Sequence, residues 1–413
     1  MRHSLVQRGL IALVLVLAMA VWFSASAVVP ALASQWHMSP GGAAWLTAPV
    51  QAGFVLGAVV SAVLGLADRM RPHLLAAGCA ASAAGCTLVM ALFSGGLLAA
   101  VPLRFATGAF LAGVYPVGMK LMASWSRPAG RALAMGVLIG SLALGSALPH
   151  LIDGLWLLNW RTVLAAAAAA AFSAAIIAGA LVRPGPQFPS GGTQRPRYAL
   201  AMFTARGPRL VNLGYFGHMW ELYALWTWLP TFLVVSRTTA TGLPASASPG
   251  RSGIDAFLAI GVAGLAGCLL GGYAADRLGR TVTAAAALTL SGACCLLSPL
   301  FFTAGRPLLL AFAAVWGAAV IADSGVFSTL LSELADRRYV GTALTAQTAI
   351  GFLLTIVTIQ LIPLLAAVTG WRYALVVLAA GPVTALPAMT TLNRRIRRGP
   401  PAIPIIATER TAP

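Results

Sequence analysis

Leu210-Val-Asn-Leu-Gly-Tyr-Phe-Gly-His-Met-Trp-Glu-Leu-Tyr-Ala-Leu-Trp-Thr-Trp-Leu229 is an apolar, aromatic run, long enough as a helix to cross a bilayer, which takes about 20 residues. Glu221 stands inside it. An ionisable side chain at the centre of such a span costs about 2.5–3.5 kcal/mol on insertion scales, so chains that keep one use it for a proton, an ion or a substrate. His218 lies one helical turn earlier and projects from the same face. Gly214, Leu225, Trp228 and Phe232 fall on that side too, and Pro230, which lacks a backbone donor, is expected to kink the outer end. Glu221 has two readings: a proton carrier, or a structural acid paired with His218 or with a serine or threonine of a neighbouring helix.

The composition around this run points to the same solvent. Hydrophobic residues make up 59% of the chain and charged residues 9%, with a mean hydropathy of +0.87. Soluble chains carry about 25% charged residues, so this is an integral membrane protein. Apolar stretches predict helices at 10–33, 43–66, 74–95, 97–122, 132–152 and 161–182, then at 209–235, 254–275, 281–304, 307–332, 341–367 and 371–392. The Pro-, Gly- and Arg-rich segment between them has no apolar periodicity. The expected organisation is an all-α protein of 12 transmembrane helices: a six-helix bundle over 1–182, a basic linker over 183–208, a second bundle over 209–392 and a basic tail over 393–413. The first helix has one rival reading as a signal peptide, since Arg2 and Arg8 precede it and Ala31-Leu-Ala33 resembles a cleavage site. Its apolar stretch exceeds the usual 7–15 residues, and losing it would break the pairing of the two halves.

The basic residues set the orientation. With the N-terminus inside, the inner segments hold Arg2 and Arg8, Arg69 and Arg71, Lys120, Arg127 and Arg131, then Arg183, Arg195, Arg197, Arg206 and Arg209, Arg277 and Arg280, Arg337 and Arg338, and the arginines of the tail. The outer segments hold only Arg161, Arg237, Arg251, Arg306 and Arg372. Both termini are thus expected in the cytoplasm of a bacterial cell, with the chain in its inner membrane. The formal charge of +18 follows from this rule and from attraction to anionic headgroups, so nucleic-acid binding is not needed to explain it. The five cysteines all fall in apolar runs and read as small core residues.

An internal repeat ties the halves together. Gly130-Arg-Ala-Leu-Ala-Met-Gly-Val-Leu-Ile-Gly140 parallels Gly341-Thr-Ala-Leu-Thr-Ala-Gln-Thr-Ala-Ile-Gly351, and Trp160-Arg161 parallels Trp371-Arg372 in the same register. Gly113-Val-Tyr115 and Gly325-Val-Phe327 match one residue out of that register, and Ala67-Asp-Arg69 corresponds to Ala275-Asp-Arg277. Two parallel repeats imply a pseudo-twofold axis along the membrane normal and a central cavity between the halves.

Gly272-Tyr-Ala-Ala-Asp276-Arg277-Leu-Gly279-Arg280 is similar to the cytoplasmic loop signature of the major facilitator superfamily, G-x-x-x-D-R-x-G-R. The resemblance implies the twelve-helix fold of two pseudo-symmetric halves, transport by alternating access, and a cytoplasmic gate latched by the Asp and Arg. The first copy, Leu64-Gly65-Leu-Ala-Asp68-Arg69-Met-Arg71, departs from the pattern: its glycine is displaced and the downstream Gly-Arg is lost. Either copy also reads as a charged turn that obeys the positive-inside rule. In the fourth helix Arg104-Phe-Ala-Thr-Gly108 resembles the superfamily's R-x-x-x-G pattern, which implies a role for Arg104 in proton coupling or in clamping an anionic substrate; the rival is snorkelling to the outer interface. Tyr115 shares its face.

Asp323, in Val320-Ile-Ala-Asp323-Ser-Gly325, is the other intramembrane acid, either functional or capping a local helix break. Lys120 reads as an interfacial anchor. Trp220, Tyr223, Trp226 and Trp228 are assigned in part to the outer aromatic belt, and glycine rows such as Gly53-x-x-x-Gly57 and Gly261-x-x-Gly264-x-x-Gly267 to helix-packing seams. The five histidines are scattered and no nucleophile or metal constellation appears, so neither an enzyme nor a cofactor or metal site is expected. The expected function is proton-coupled transport of a small polar or anionic organic solute by a monomer. Efflux of hydrophobic compounds is the alternative, weakened because the fifth helix lacks the G-P-x-x-G-G stretch of many drug antiporters.

Overall fold

The computed structural model describes residues 2–126, 131–156, 159–186, 201–242, 250–335 and 340–398, and these form helices joined by short turns, with no strand among them. The first half comprises a first helix (Arg2–Met19, resuming as Ser24–Ala27 and Val29–Gln35), a second (Pro40–Ala44, then Ala48–Leu64), a third (Pro72–Phe93), a fourth (Leu97–Leu111, then Tyr115–Ser124), a fifth (Arg131–Trp156) and a sixth (Trp160–Ala180). The second half comprises a seventh (Arg206–Thr241), an eighth (Arg251–Leu278, with a π-helical stretch at Phe257–Val262), a ninth (Arg280–Phe301), a tenth (Arg306–Ile321, then Ser324–Leu334), an eleventh (Val340–Thr369) and a twelfth (Trp371–Arg398). Ten of these are long and apolar enough to cross a membrane by length and composition. The first is interrupted too early, and the seventh is diluted by polar and aromatic groups. That dilution is tolerable because the seventh is enclosed: every residue from Glu221 to Leu229 is buried.

The halves share one packing plan. The second helix packs on the fourth, the third on the sixth, and the first on the fifth and sixth; the eighth packs on the tenth, the ninth on the twelfth, and the seventh on the eleventh and twelfth. Each contact in one half thus has its counterpart in the other. The halves meet along the second and eleventh helices and along the fifth and eighth, again a symmetric pair.

In lipid no hydrophobic force drives helices together, so close backbone approach has to supply the attraction. A Cβ added at Gly108 would stand 1.9 Å from the Val50 carbonyl oxygen, and one at Gly53 1.9 Å from that of Phe105, so the second and fourth helices touch backbone to backbone. Gly267 and Gly271 hold the same relation to Ala318 and Ala322 between the eighth and tenth helices, at 2.1 and 2.0 Å. Gly108→Val is therefore expected to abolish the monodisperse peak in size-exclusion chromatography. Gly85→Val, at a glycine with nothing within 4 Å, is expected to leave it intact. Equal behaviour of the two variants would show that the seam does not hold the first half together.

Four helices expected to be continuous are broken. The second unwinds at Trp45–Thr47, where Pro49 cannot donate to the Trp45 carbonyl, and the fourth at Ala112–Val114, where Pro116 cannot donate to that of Ala112. The tenth turns at Ala322–Asp323, the repeat-equivalent place. The first unwinds at Ala20–Phe23 without a proline or glycine, for a reason that lies on the fourth helix.

Candidate functional site

Arg104 is fully buried and points into the first half. Its Nε donates to the Leu46 carbonyl at 2.9 Å, Nη1 to the Val21 carbonyl at 2.8 Å, and Nη2 to the Trp22 carbonyl. The planar fork thereby supplies donors to both unwound segments, which Ser26 and Thr47 also join through their hydroxyls at 2.6 Å. Arg104 therefore fixes the break that presents Trp22 and Phe23 to the other half. It does not snorkel, and it does not form a charge network with Glu221 or Asp323.

Glu221 is 1% exposed and lies inside the second half. Oε1 accepts from Trp316 Nε1 at 2.8 Å and from Cys295 Sγ at 3.2 Å, and Oε2 accepts from Ser291 Oγ at 2.9 Å. Ser291 and Cys295 are one turn apart on the ninth helix, and Trp316 is on the tenth. Among the described residues no cation pairs with this carboxyl. His218, on the same side of the seventh helix, has a different partner: its Nδ1 stands 2.8 Å from Asp323 Oδ1, and its Nε2 lies 3.0 Å from Ser324 Oγ. The Nδ1–Oδ1 contact is close but poorly aligned, leaving Oδ1 with no well-directed hydrogen bond among the described residues. Asp323 precedes the second segment of the tenth helix, but its side chain does not cap that segment.

Two further residues singled out in the sequence are placed by packing. Tyr115 opens the second segment of the fourth helix and packs, half-buried, against the core. Trp228 donates from Nε1 to the Ile359 carbonyl at 2.9 Å. That carbonyl is the one left without its helical partner by Pro363, four residues on, so Trp228 repairs the eleventh helix. Trp220 likewise donates to the Val377 carbonyl at 3.2 Å, in the 3₁₀ stretch of the twelfth helix. Both indole N–H groups are thus spent on backbone carbonyls of neighbouring helices.

The middle of the interface between the halves is filled by aromatic rings. Trp22 stacks on Tyr223 with centroids 5.8 Å apart, and lies 5.0 Å from Phe54 and 5.7 Å from Phe352. Phe54 and Phe352 stand 4.5 Å apart across the halves, and Phe23 packs on Trp226 at 5.9 Å. Gln51, one turn from Phe54 on the second helix, is fully buried. Both of its amide atoms, and the indole nitrogens of Trp22 and Trp226, lack a partner among the described residues. Leaving a buried donor or acceptor unpaired costs about 1–3 kcal/mol, so three such side chains at one place are unusual for a packing seam. Sequence reasoning missed Trp22, Gln51, Phe54 and Phe352. Gln51 alone left a signal, as a polar residue inside an apolar run.

At the end of the molecule that carries the termini, Arg280 donates from Nη1 to both carboxylate oxygens of Glu333, joining the start of the ninth helix to the end of the tenth. Gly279, at φ 93°, makes the turn that delivers it. Asp276 is exposed with no ion pair among the described residues, and the Arg277 guanidinium lies over the Tyr273 ring at 5.2 Å. Arg69 is exposed, and the Asp68 side chain lies outside the described residues. The Gly272–Arg280 loop thus makes its described ion pair through Arg280 rather than through Asp276 and Arg277. A small cleft opens beside it, bordered by Gly136, Cys268, Gly272, Arg280 and Gly325.

Two symmetric helical bundles meeting across a membrane, with acids buried inside one of them, define a membrane transport protein. The sequence profile of the Major Facilitator Superfamily matches residues 11–354, and the chain belongs to that superfamily. It is a transporter rather than an enzyme. Similar solved structures include a bacterial homolog of the human lysosomal transporter Spinster, inward-facing and unoccupied (TM-score 0.71, 16% identity, covering 97% of this chain and 99% of that one). The nucleoside transporter NupG is similar at a TM-score of 0.71 (16% identity, 94% and 99%). The proton:xylose symporter XylE, bound to 6-bromo-6-deoxy-D-glucose, is similar at 0.68 (15% identity, 94% and 96%). At such identities the likeness is one of fold. A comparison with curated proteins finds no match.

Proposed function

We propose that this transporter carries a small polar organic solute by alternating access, coupled to protons through Glu221. The observation that carries the reading is a fully enclosed carboxyl held by three uncharged donors and, among the described residues, no cation. Ionised, Glu221 accepts from all three; protonated, it must itself donate, and one of those bonds is lost or reversed. The donors sit on the ninth and tenth helices, so loading a proton changes how the seventh is held. Tyr223 and Trp226 project from the seventh helix toward the other half, so the same helix touches the proton site on one side and the interface on the other.

The basic residues favour cytoplasmic termini in a bacterial inner membrane, and the carrier is proposed to act as a monomer. Two of the similar folds belong to a proton:xylose symporter and a nucleoside transporter, which agrees with a polar cargo. The test uses proteoliposomes with pyranine trapped in the lumen. Adding a transported solute outside should move protons with it, shifting the dye signal in step with solute uptake. Solute flux with no proton signal would overturn the coupling.

A further inference from the structure

The ionisable groups singled out above, Arg104, Glu221, His218 and Asp323, all have their partners within their own half. Arg104 is committed to backbone carbonyls, Glu221 to the ninth and tenth helices, and His218 and Asp323 to each other. What the interface does offer is flat apolar surface and uncharged polar atoms. Trp22 and Tyr223 lie face to face, 5.8 Å apart and tilted by 24°, with Phe54 and Phe352 beside them. Trp22 Nε1 and Trp226 Nε1 are donors with nothing to donate to among the described residues, and Gln51 has an amide with both ends open. All three side chains are at most 1% exposed. A seam built only for packing would be better served by apolar residues at these positions, because each unpaired buried group weakens it.

We propose that this cluster is the solute site, and that it takes an uncharged, ring-bearing solute with at least two hydrogen-bond acceptors. The inference rests on the transport reading above and names its substrate class. Two contacts of about 3.5 Å place a planar ring between faces about 7 Å apart, so Trp22 and Tyr223 need part by little more than an ångström to admit one. The two indole N–H groups require acceptors on the ring or its substituents, since indole cannot accept. Gln51 can serve one donor and one acceptor more. A carboxylate would find no free guanidinium here, and an organic cation would meet two N–H donors and no carboxylate. Both would be desolvated without a counter-charge.

The full-length protein in detergent can be screened by thermal shift against three probe sets. The first is neutral: uridine, thymidine, D-glucose and D-xylose. The second is anionic, succinate and lactate, and the third is tetraphenylphosphonium. A member of the neutral set is expected to raise the melting temperature. Gln51→Leu removes the polar atoms at similar volume, and Trp22→Phe and Trp226→Phe remove the indole N–H together with one ring; each should weaken that binding at least tenfold, and Gln51→Leu should do so while leaving the ligand-free melting temperature unchanged or higher. Binding by the anionic or cationic set in place of the neutral one would overturn the proposal. So would a neutral response that none of the three variants alters, or no response to any neutral probe. If a neutral probe binds as expected yet is not exchanged by wild-type proteoliposomes, the site stands and the transport reading falls.

Discussion

Glu221→Gln is expected to abolish solute accumulation driven by a proton gradient while leaving counterflow exchange between loaded vesicles intact. The amide keeps the carbonyl oxygen that Trp316 and Cys295 donate to, and it offers an N–H₂ where Oε2 received the Ser291 hydroxyl. That hydroxyl can turn and accept, so the three helices stay joined and the protein should melt close to wild type. What the variant loses is the ability to exist in two protonation states. Driven uptake should fall to the level of protein-free vesicles, whereas exchange, which needs only the solute-loaded carrier to cycle, should continue. Full driven uptake in this variant would remove Glu221 from the coupling. Loss of exchange as well would mean that the residue acts on the solute step.

The second large effect is expected at Arg104, and it is structural. Arg104→Met keeps an unbranched apolar stem and removes every donor, leaving the Val21, Trp22 and Leu46 carbonyls unpaired in a buried interior. At about 1–3 kcal/mol for each, the loss is on the order of 3–9 kcal/mol, comparable to the whole stability of many domains. The variant should fail to give a monodisperse species. Arg104→Lys retains the charge but only a compact ammonium with three donors, and cannot span the same carbonyls with a planar fork. It should fold with a depressed melting temperature. An Arg104→Met protein that melts like wild type would show that these carbonyls find other donors.

The architecture was legible because a bilayer imposes a simple length rule and because the repeat leaves matched residues behind. Gly113-Val-Tyr115 and Gly325-Val-Phe327, one residue out of the common register, lie in the break of the fourth helix and just past that of the tenth. The break in the first helix was not legible. Ala20–Phe23 contains no helix breaker, and its carbonyls are met by a side chain more than 80 positions away. The surroundings of Glu221 were readable in kind, as a hydroxyl-bearing neighbouring helix, but not in partner, since only packing brings Ser291 and Trp316 to it. The interface cluster was hidden for a related reason. Apolar aromatic residues inside a span look alike in sequence whether they face lipid, their own bundle or the opposing half.

The offset that maps Gly113 onto Gly325 also maps Arg104 onto Trp316. Each repeat therefore carries a flat N–H donor at the same point of its fourth helix and inserts it into its own first helix. In one repeat the acceptor is main-chain carbonyl, which no change in pH can alter. In the other it is a carboxylate, which a single proton can convert. Duplication has left two copies of one joint, of which the first is welded and the second is a clasp. On the coupling proposed above, no new contact between helices was required, only a titratable acceptor at the receiving end of an inherited one.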